Sequence, residues 1–558
     1  IADPYRWLED PAQDDVQTWI TQQNTLTADF ISEIPSHAVI RERMEASYNM
    51  PRNNAPRRYG DRYFYTRNDG LQDQYVLYWR EGSDGEEHLL LDPNTLSDDG
   101  TTSLMNWAVS KDGKTLAYSL SGGGSDWQTI YVRDVTTAED YDEVLEWSKF
   151  TNLAWLPDGS GFYYSRFPAQ DSQKDQGVTL NHTIYLHRIN TPQADDMKIY
   201  ALPEMPELLM SPFVTDDGQY LIAYVFGGAS NRNRVHYRPL ASDDDFVKLL
   251  DDNDAQYGVI GSVGRTMYIK TDLDAPRGRV IAIDLDNPAL EQWRTIIAED
   301  EATIAMSHLS ADYIVLNYLQ NAINQLKVFD MDGNLQRELE LPGIGTVFEL
   351  NTRRKDNTLH VNFQSHLYPP TILEYDLETG ARVDWFMSSF KFDSDAYETK
   401  QVWYESKDGT QVSMFLTHRK DITLDGDNPT MLYGYGGFSA SVLPRFEPHI
   451  IAWLQMGGVY AVANLRGGSE YGDAWHQAGM LGNKQNVFDD FIAAAEWLIA
   501  EKYTCTAKLA VMGRSNGGLL VAACMVQRPD LFGAVVCIVP VTDMLRFHRF
   551  TAGRFWTF

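Results

Sequence analysis

Between about residues 48 and 390 the chain is nearly all short runs of β-forming residues, rich in Tyr, Val, Ile and Thr, separated by polar turns. A turn followed by such a run recurs along it. The turns are Gly60-Asp61, Asp112-Gly113, Asp158-Gly159, Asp217-Gly218, Gly264-Arg265, Ala311-Asp312 and Asp356-Asn357. The runs that follow them include Arg62–Tyr65, Thr115–Tyr118, Phe162–Tyr164 and Tyr220–Tyr224. From Asp61 to Asp356 is 295 residues over six intervals, about 49 per repeat. Propeller blades repeat at roughly 40–50 residues, so the pattern predicts a seven-bladed β-propeller.

Beyond Asp395 the pattern changes. Met431–Tyr433 and Val459–Ala463 read as buried strands, and Val487–Ala500 carries an apolar helical face with Asn486 as its expected cap. Strand Leu509–Met512, helix Gly517–Val526 and strand Ala534–Val539 follow. Strands alternating with helices predict a mostly parallel sheet covered on both faces. Helical periodicity around Val16–Phe30 predicts an N-terminal segment packed beside this second domain.

The chemistry concentrates in that second part. Gly513-Arg514-Ser515-Asn516-Gly517 is a G-x-S-x-G between a strand and a helix, the context of a nucleophile elbow. Such a turn lifts the Ser515 hydroxyl above the sheet. The helix beginning there favours the negative charge of a tetrahedral oxyanion. Tyr433-Gly434-Tyr435-Gly436-Gly437-Phe438 follows an earlier strand, where hydrolases of this kind complete the oxyanion hole. A tyrosine hydroxyl there can donate alongside the backbone N–H of Asn516.

Those segments, with Arg466–Gly472 (RGGSEYG), Asn483–Asn486 (NKQN), Asp3–Asp10 (DPYRWLED) and Gly124–Trp127 (GSDW), resemble the prolyl oligopeptidase family of serine peptidases. The resemblance runs from end to end. It implies an N-terminal helical segment (residues 1–47), a seven-bladed β-propeller (48–392) and an α/β-hydrolase domain (393–558). It further implies cleavage of short proline-containing peptides after proline, with the propeller as a size filter. Carried over by position, Ser515 is the nucleophile, Tyr435 the side-chain oxyanion donor and Asn516 the backbone one. Phe438, Val541 and Trp556 match the walls of the proline-ring pocket. In this fold the aspartate and histidine of the triad follow the serine on later loops. Asp530, Asp543 and His548 are too local to fill those places. The sequence-based expectation is therefore a hydrolase domain that stops before both, and a chain inactive by itself. Two other readings remain: a related oligopeptidase that cuts after Lys or Arg, and a propeller interaction module with an inactive hydrolase remnant.

Composition narrows the setting. With 47 basic and 78 acidic residues the net charge is −31, which repels nucleic acid and anionic lipid. No run of about 18 apolar residues predicts a membrane helix. The three cysteines, Cys505, Cys524 and Cys537, lack zinc-ligand spacing and predict no disulfide framework. Cys524 and Cys537 read as small buried side chains. No cofactor and no metal is expected, and the partner is a short peptide bound by a monomer. The beginning, Ile1-Ala2-Asp3-Pro4, shows neither an initiator Met nor a signal peptide, so the chain is expected to start within a longer product. The expected location is cytoplasmic, with a periplasmic one left open.

Overall fold

The structure, a computed structural model, describes residues 3–169, 179–310, 312–353, 356–390, 392–550 and 553–557. Seven antiparallel sheets follow one another at residues 52–91, 103–148, 154–200, 209–250, 257–297, 303–339 and 346–387. Each has its strands in chain order, four per sheet and five in the first. They are the seven blades of the propeller. All seven predicted turns fall between the inner strand of a blade and the next strand, though Ala311 of the sixth lies outside the described residues. Gly60, Gly113, Gly159, Gly218 and Gly264 hold φ between +58° and +74° there, a region closed to most side chains.

Among the described residues no strand from one end of the propeller completes the sheet at the other. The ring is closed by side chains instead. The Ala55 N–H donates to Glu349 (2.7 Å), Asn351 donates to the Ala55 carbonyl (2.9 Å), and Arg58 pairs with Asp356 (3.1 Å). The Arg80 guanidinium lies 4.3 Å from the ring of Trp385 in the last blade.

The hydrolase part is one six-stranded sheet. Its order is Tyr397–Glu405, Gln411–Arg419, Val459–Ala463, Thr430–Tyr433, Leu509–Arg514 and Ala534–Ile538. The last four are parallel. Helices Lys484–Ala500 and Asn516–Gln527 bury Val487, Phe491, Leu498, Leu520 and Val521 against it. The chain runs outward from Thr430–Tyr433 and then back across to Leu509–Arg514. These two neighbours form the switch point, and loops leaving their carboxyl ends meet there. The loops are 434–438 and the turn at Ser515.

Three sequence expectations change. The helix expected after a cap at Asn486 begins at Lys484, and Asn486 donates to the Ala478 carbonyl from within it (2.9 Å). The first helix, Asp14–Ser32, buries only Val16, while Trp19, Leu26 and Phe30 are exposed. It is the next helix, His37–Tyr48, that lies on hydrolase helix Pro448–Gln455, with Arg43 donating to the Gln455 carbonyl. Cys537 is exposed rather than buried, because Ala534–Ile538 is an edge strand whose faces are largely open among the described residues.

The propeller meets the hydrolase along two unlike borders. Beside blade 7, Thr346 donates to the Pro444 carbonyl (2.6 Å), Phe446 N–H donates to Gln364 (3.1 Å) and His366 meets Thr417 (2.8 Å). Met50, Phe390 and Phe392 share an apolar cluster there with Phe446, Ile451 and Tyr460. Beside blades 4 and 5 the contacts are fewer. Ala229 N–H donates to the Phe555 carbonyl (2.7 Å), Asp473 N–H to the Pro276 carbonyl (2.8 Å) and Asn231 to the Asp473 carboxylate (3.2 Å).

Candidate active site

Ser515 stands between strand Leu509–Arg514 and helix Asn516–Gln527 with φ +57° and ψ −116°. That is strained backbone for a residue with a Cβ. The turn is held by Ser515 N–H donating to the Ile538 carbonyl (3.0 Å) and by glycines that tolerate no side chain. A Cβ on Gly513 would stand 2.0 Å from the Gly517 carbonyl oxygen, and one on Gly517 2.7 Å from that of Gly434. The spacing of the pentapeptide thus follows from packing the elbow against the 434–438 loop.

Tyr435 faces the serine. Burial pushes its phenol up, and the Ser515 hydroxyl beside it opposes the shift. Asn516 follows Ser515 at the first position of the helix, where its backbone N–H is free of helix bonding. Its side chain donates to the Tyr435 carbonyl (2.7 Å) and accepts from Lys484 Nζ (3.1 Å). Lys484 Nζ also donates to the Gly436 carbonyl (2.7 Å). The GRSNGG, YGYGGF and NKQN motifs therefore converge on one cluster.

Phe438 (φ +55°) is 43% exposed and meets Trp556 edge to face, with ring centroids 6.2 Å apart. Trp556 also stacks on Phe547 at 6.3 Å. Val541 lies in the loop after strand Ala534–Ile538 and is partly exposed. The propeller fixes the segment that carries Trp556. The neighbouring Phe555 is buried against Phe150 and Phe167, and Trp127 of the GSDW motif packs edge to face on Phe167. Lys149 stands 4.4 Å from the Trp127 ring and 5.7 Å from that of Phe555. The N-terminal DPYRWLED motif reaches the same region through an ion pair between Glu9 and Arg546. These supporting residues escape sequence reasoning, since nothing local marks a contact between residues 127–167 and 555.

A cavity of 440 Å³ separates the domains beside Phe438. Lys270, Asp272 and Asn231 line it from the propeller, and Phe438, Ser439 and Asp473 from the hydrolase. The RGGSEYG motif supports this wall from below. Glu470 is fully buried and accepts from Val442 N–H (2.7 Å), and burial pushes its carboxyl up to about 7. Ser469 donates to the Ser439 carbonyl (2.6 Å). Arg466 donates to buried Asp490 through Nε (2.9 Å) and reaches Asp408 in the hairpin between the first two strands, holding that carboxyl down at about 2. Among the described residues Ser515 makes no hydrogen bond to a histidine, and His548 is exposed against Phe547.

Known proteins agree with this layout. The family model "Prolyl oligopeptidase, N-terminal beta-propeller domain" matches residues 1–385, and "Prolyl oligopeptidase family" matches 444–557. A prolyl endopeptidase of Elizabethkingia miricola is 38% identical over 558 residues, covering 100% of this chain and 79% of that protein. A solved prolyl endopeptidase superposes with a TM-score of 0.95 at 40% identity, covering 100% of this chain and 82% of its own. Prolyl oligopeptidase B from Galerina marginata, bound to a 25mer macrocyclization substrate, gives 0.94 at 33% identity, covering 100% and 81%. With a strained serine elbow at the switch point of the sheet, seven blades over it and these likenesses along its whole length, the chain belongs to the prolyl oligopeptidase family.

Proposed function

We propose that the protein is a serine endopeptidase that cleaves short peptides on the carboxyl side of proline through an acyl-enzyme on Ser515. The observation that carries this reading is Ser515 raised on its elbow beside Tyr435, with Phe438, which lines the interdomain cavity, edge to face with Trp556. Proline offers an apolar ring without a polar group, and aromatic faces match it. A pocket for Lys or Arg needs carboxylates, and Phe438, Val541 and Trp556 supply none. The base that takes the serine proton is not among the hydrogen-bond partners of Ser515 described above.

The pocket is tested in full-length enzyme with Gly-Pro and Gly-Ala reporter peptides. Trp556→Ala is expected to lower the proline-to-alanine ratio of kcat/KM by about 1–3 kcal/mol of discrimination. An unchanged ratio would remove Trp556 from the pocket. The propeller covering the cavity predicts a second outcome. Short peptides are cut while native globular proteins survive, because only a thin, unfolded chain reaches a covered serine. Rapid digestion of a folded protein would refute the filter.

A further inference from the structure

Lys484 is a cation without a counter-ion at the heart of the site. Its Nζ stands 2.7 Å from the Gly436 carbonyl oxygen and 3.1 Å from Asn516 Oδ1, and among the described residues no carboxylate pairs with it. The Asn516 amide turns its other end to the Tyr435 carbonyl at 2.7 Å. Two consecutive carbonyls of the 433–438 loop are thus tied, one directly and one through Asn516, to the residue that follows the nucleophile. The clamp is tight. A Cβ on Gly437 would lie 2.5 Å from the Asn516 side-chain nitrogen, so the loop approaches closely only because that position is glycine. Desolvating an ammonium without a carboxylate partner is costly, and a neutral donor would hold two carbonyl-type oxygens more cheaply. Burial accordingly brings the Lys484 ammonium down to about 8.

We propose that Lys484 is a positioning residue of the acyl-transfer site: its ammonium clamps the Tyr435–Gly437 loop to Asn516 and so sets the Tyr435 hydroxyl and the Asn516 N–H against the same oxyanion. The inference rests on the reading of Tyr435 and Asn516 as oxyanion donors. It adds that the clamp carries a charge, which polarises the Gly436–Gly437 peptide towards a transition state that carries negative charge.

The charge can be read separately from the geometry. A neutral amine still donates hydrogen bonds, so the clamp persists when Lys484 loses its proton. The charge is present below pH about 8 and disappears as pH rises through it. Neighbouring groups differ. Burial pushes the Tyr433 and Tyr435 phenols up, and Arg466 is held charged by Asp490 of the same helix. Glu470 titrates at about 7 beneath the 438–442 segment, with His476 on the adjoining short helix. Glu470 acts on the neutral side of the profile.

The test measures kcat and KM of full-length enzyme on the Gly-Pro reporter from about pH 6 to about pH 10. Tyr435→Phe, Lys484→Met and Lys484→Arg are compared with the parent. Loss of a direct oxyanion donor costs about 10²–10³ in kcat, and Tyr435→Phe is expected in that range. Lys484→Met is expected to cost about 10–100-fold in kcat, the scale of a misplaced group, with KM little changed. The alkaline fall near pH 8 should vanish in Lys484→Met. Lys484→Arg should recover part of kcat and also lack the fall, because a guanidinium keeps its proton. A Lys484→Met enzyme within about twofold of the parent, or one retaining the fall near pH 8, overturns the proposal. Should Lys484→Met fail to fold, a parent kcat that stays flat through that pH overturns it without any variant. If Tyr435→Phe is also fully active, the oxyanion reading itself is wrong. If only the Lys484 outcomes fail, that reading stands and the clamp does not.

Discussion

Ser515→Ala in the full-length enzyme is expected to lower kcat on a Gly-Pro reporter by about 10⁶-fold, the scale seen when a serine nucleophile is removed. Two readings of the same residue make the test sharp. As a nucleophile it supplies the hydroxyl, and as an elbow it occupies φ +57°, which holds about 1–3 kcal/mol of strain in a residue with a Cβ. Alanine removes the hydroxyl but keeps the Cβ, so stability should stay near that of the parent. Ser515→Gly removes both and should unfold at higher denaturant, by about 1 kcal/mol, while remaining equally inactive. An alanine variant within about tenfold of the parent would mean that another residue attacks the peptide. A glycine variant no more stable than alanine would mean that the elbow is not strained.

Arg466→Leu is expected to cost about 3–5 kcal/mol in the unfolding transition of the hydrolase domain, because it leaves Asp490 buried and unpaired. Asp490 has 0% exposure, and Arg466 serves it through Nε, Nη2 and its own backbone N–H. The same guanidinium reaches Asp408, so one side chain joins helix Lys484–Ala500 to the hairpin at the start of the sheet. Replacing both partners, as Arg466→Leu with Asp490→Leu, should recover much of the loss, since two apolar groups leave no uncompensated charge. Denaturant unfolding followed by tryptophan fluorescence reads both outcomes. A midpoint unmoved in Arg466→Leu would show that water reaches Asp490.

The propeller was legible because each blade announces itself locally. An Asp-Gly or equivalent turn precedes a run of β-forming residues, and the same device recurs at nearly constant spacing. The elbow was legible for a similar reason, its glycines being demanded within five residues of Ser515. What sequence could not supply are contacts between distant positions. Lys484 stands in the NKQN motif, but nothing local shows what it holds until the 433–438 loop folds over it. Phe555 and Phe150 are 405 positions apart yet pack at 5.3 Å. Cys537 sits in an apolar run that implies burial, but burial of a strand depends on what covers the sheet, and that is decided elsewhere in the chain.

The two unlike borders of the propeller have a mechanical meaning. Met50, where the chain enters the first blade, and Phe390 and Phe392, where it leaves the last, sit together in one apolar cluster with the hydrolase. Both covalent connections between the domains therefore emerge on the same side, at the seam that side chains close. Across the molecule, among the described residues, blades 4 and 5 hold the hydrolase by three hydrogen bonds, two of them to the backbone carbonyls of Phe555 and Pro276, and by Phe555 packed on Leu209. This is the plan of a door, with a two-stranded hinge at blades 1 and 7 and a light latch at blades 4 and 5. One of those latch bonds ends on the residue next to Trp556. Any movement that parted this border would break that bond and so pull directly on the segment that carries Trp556.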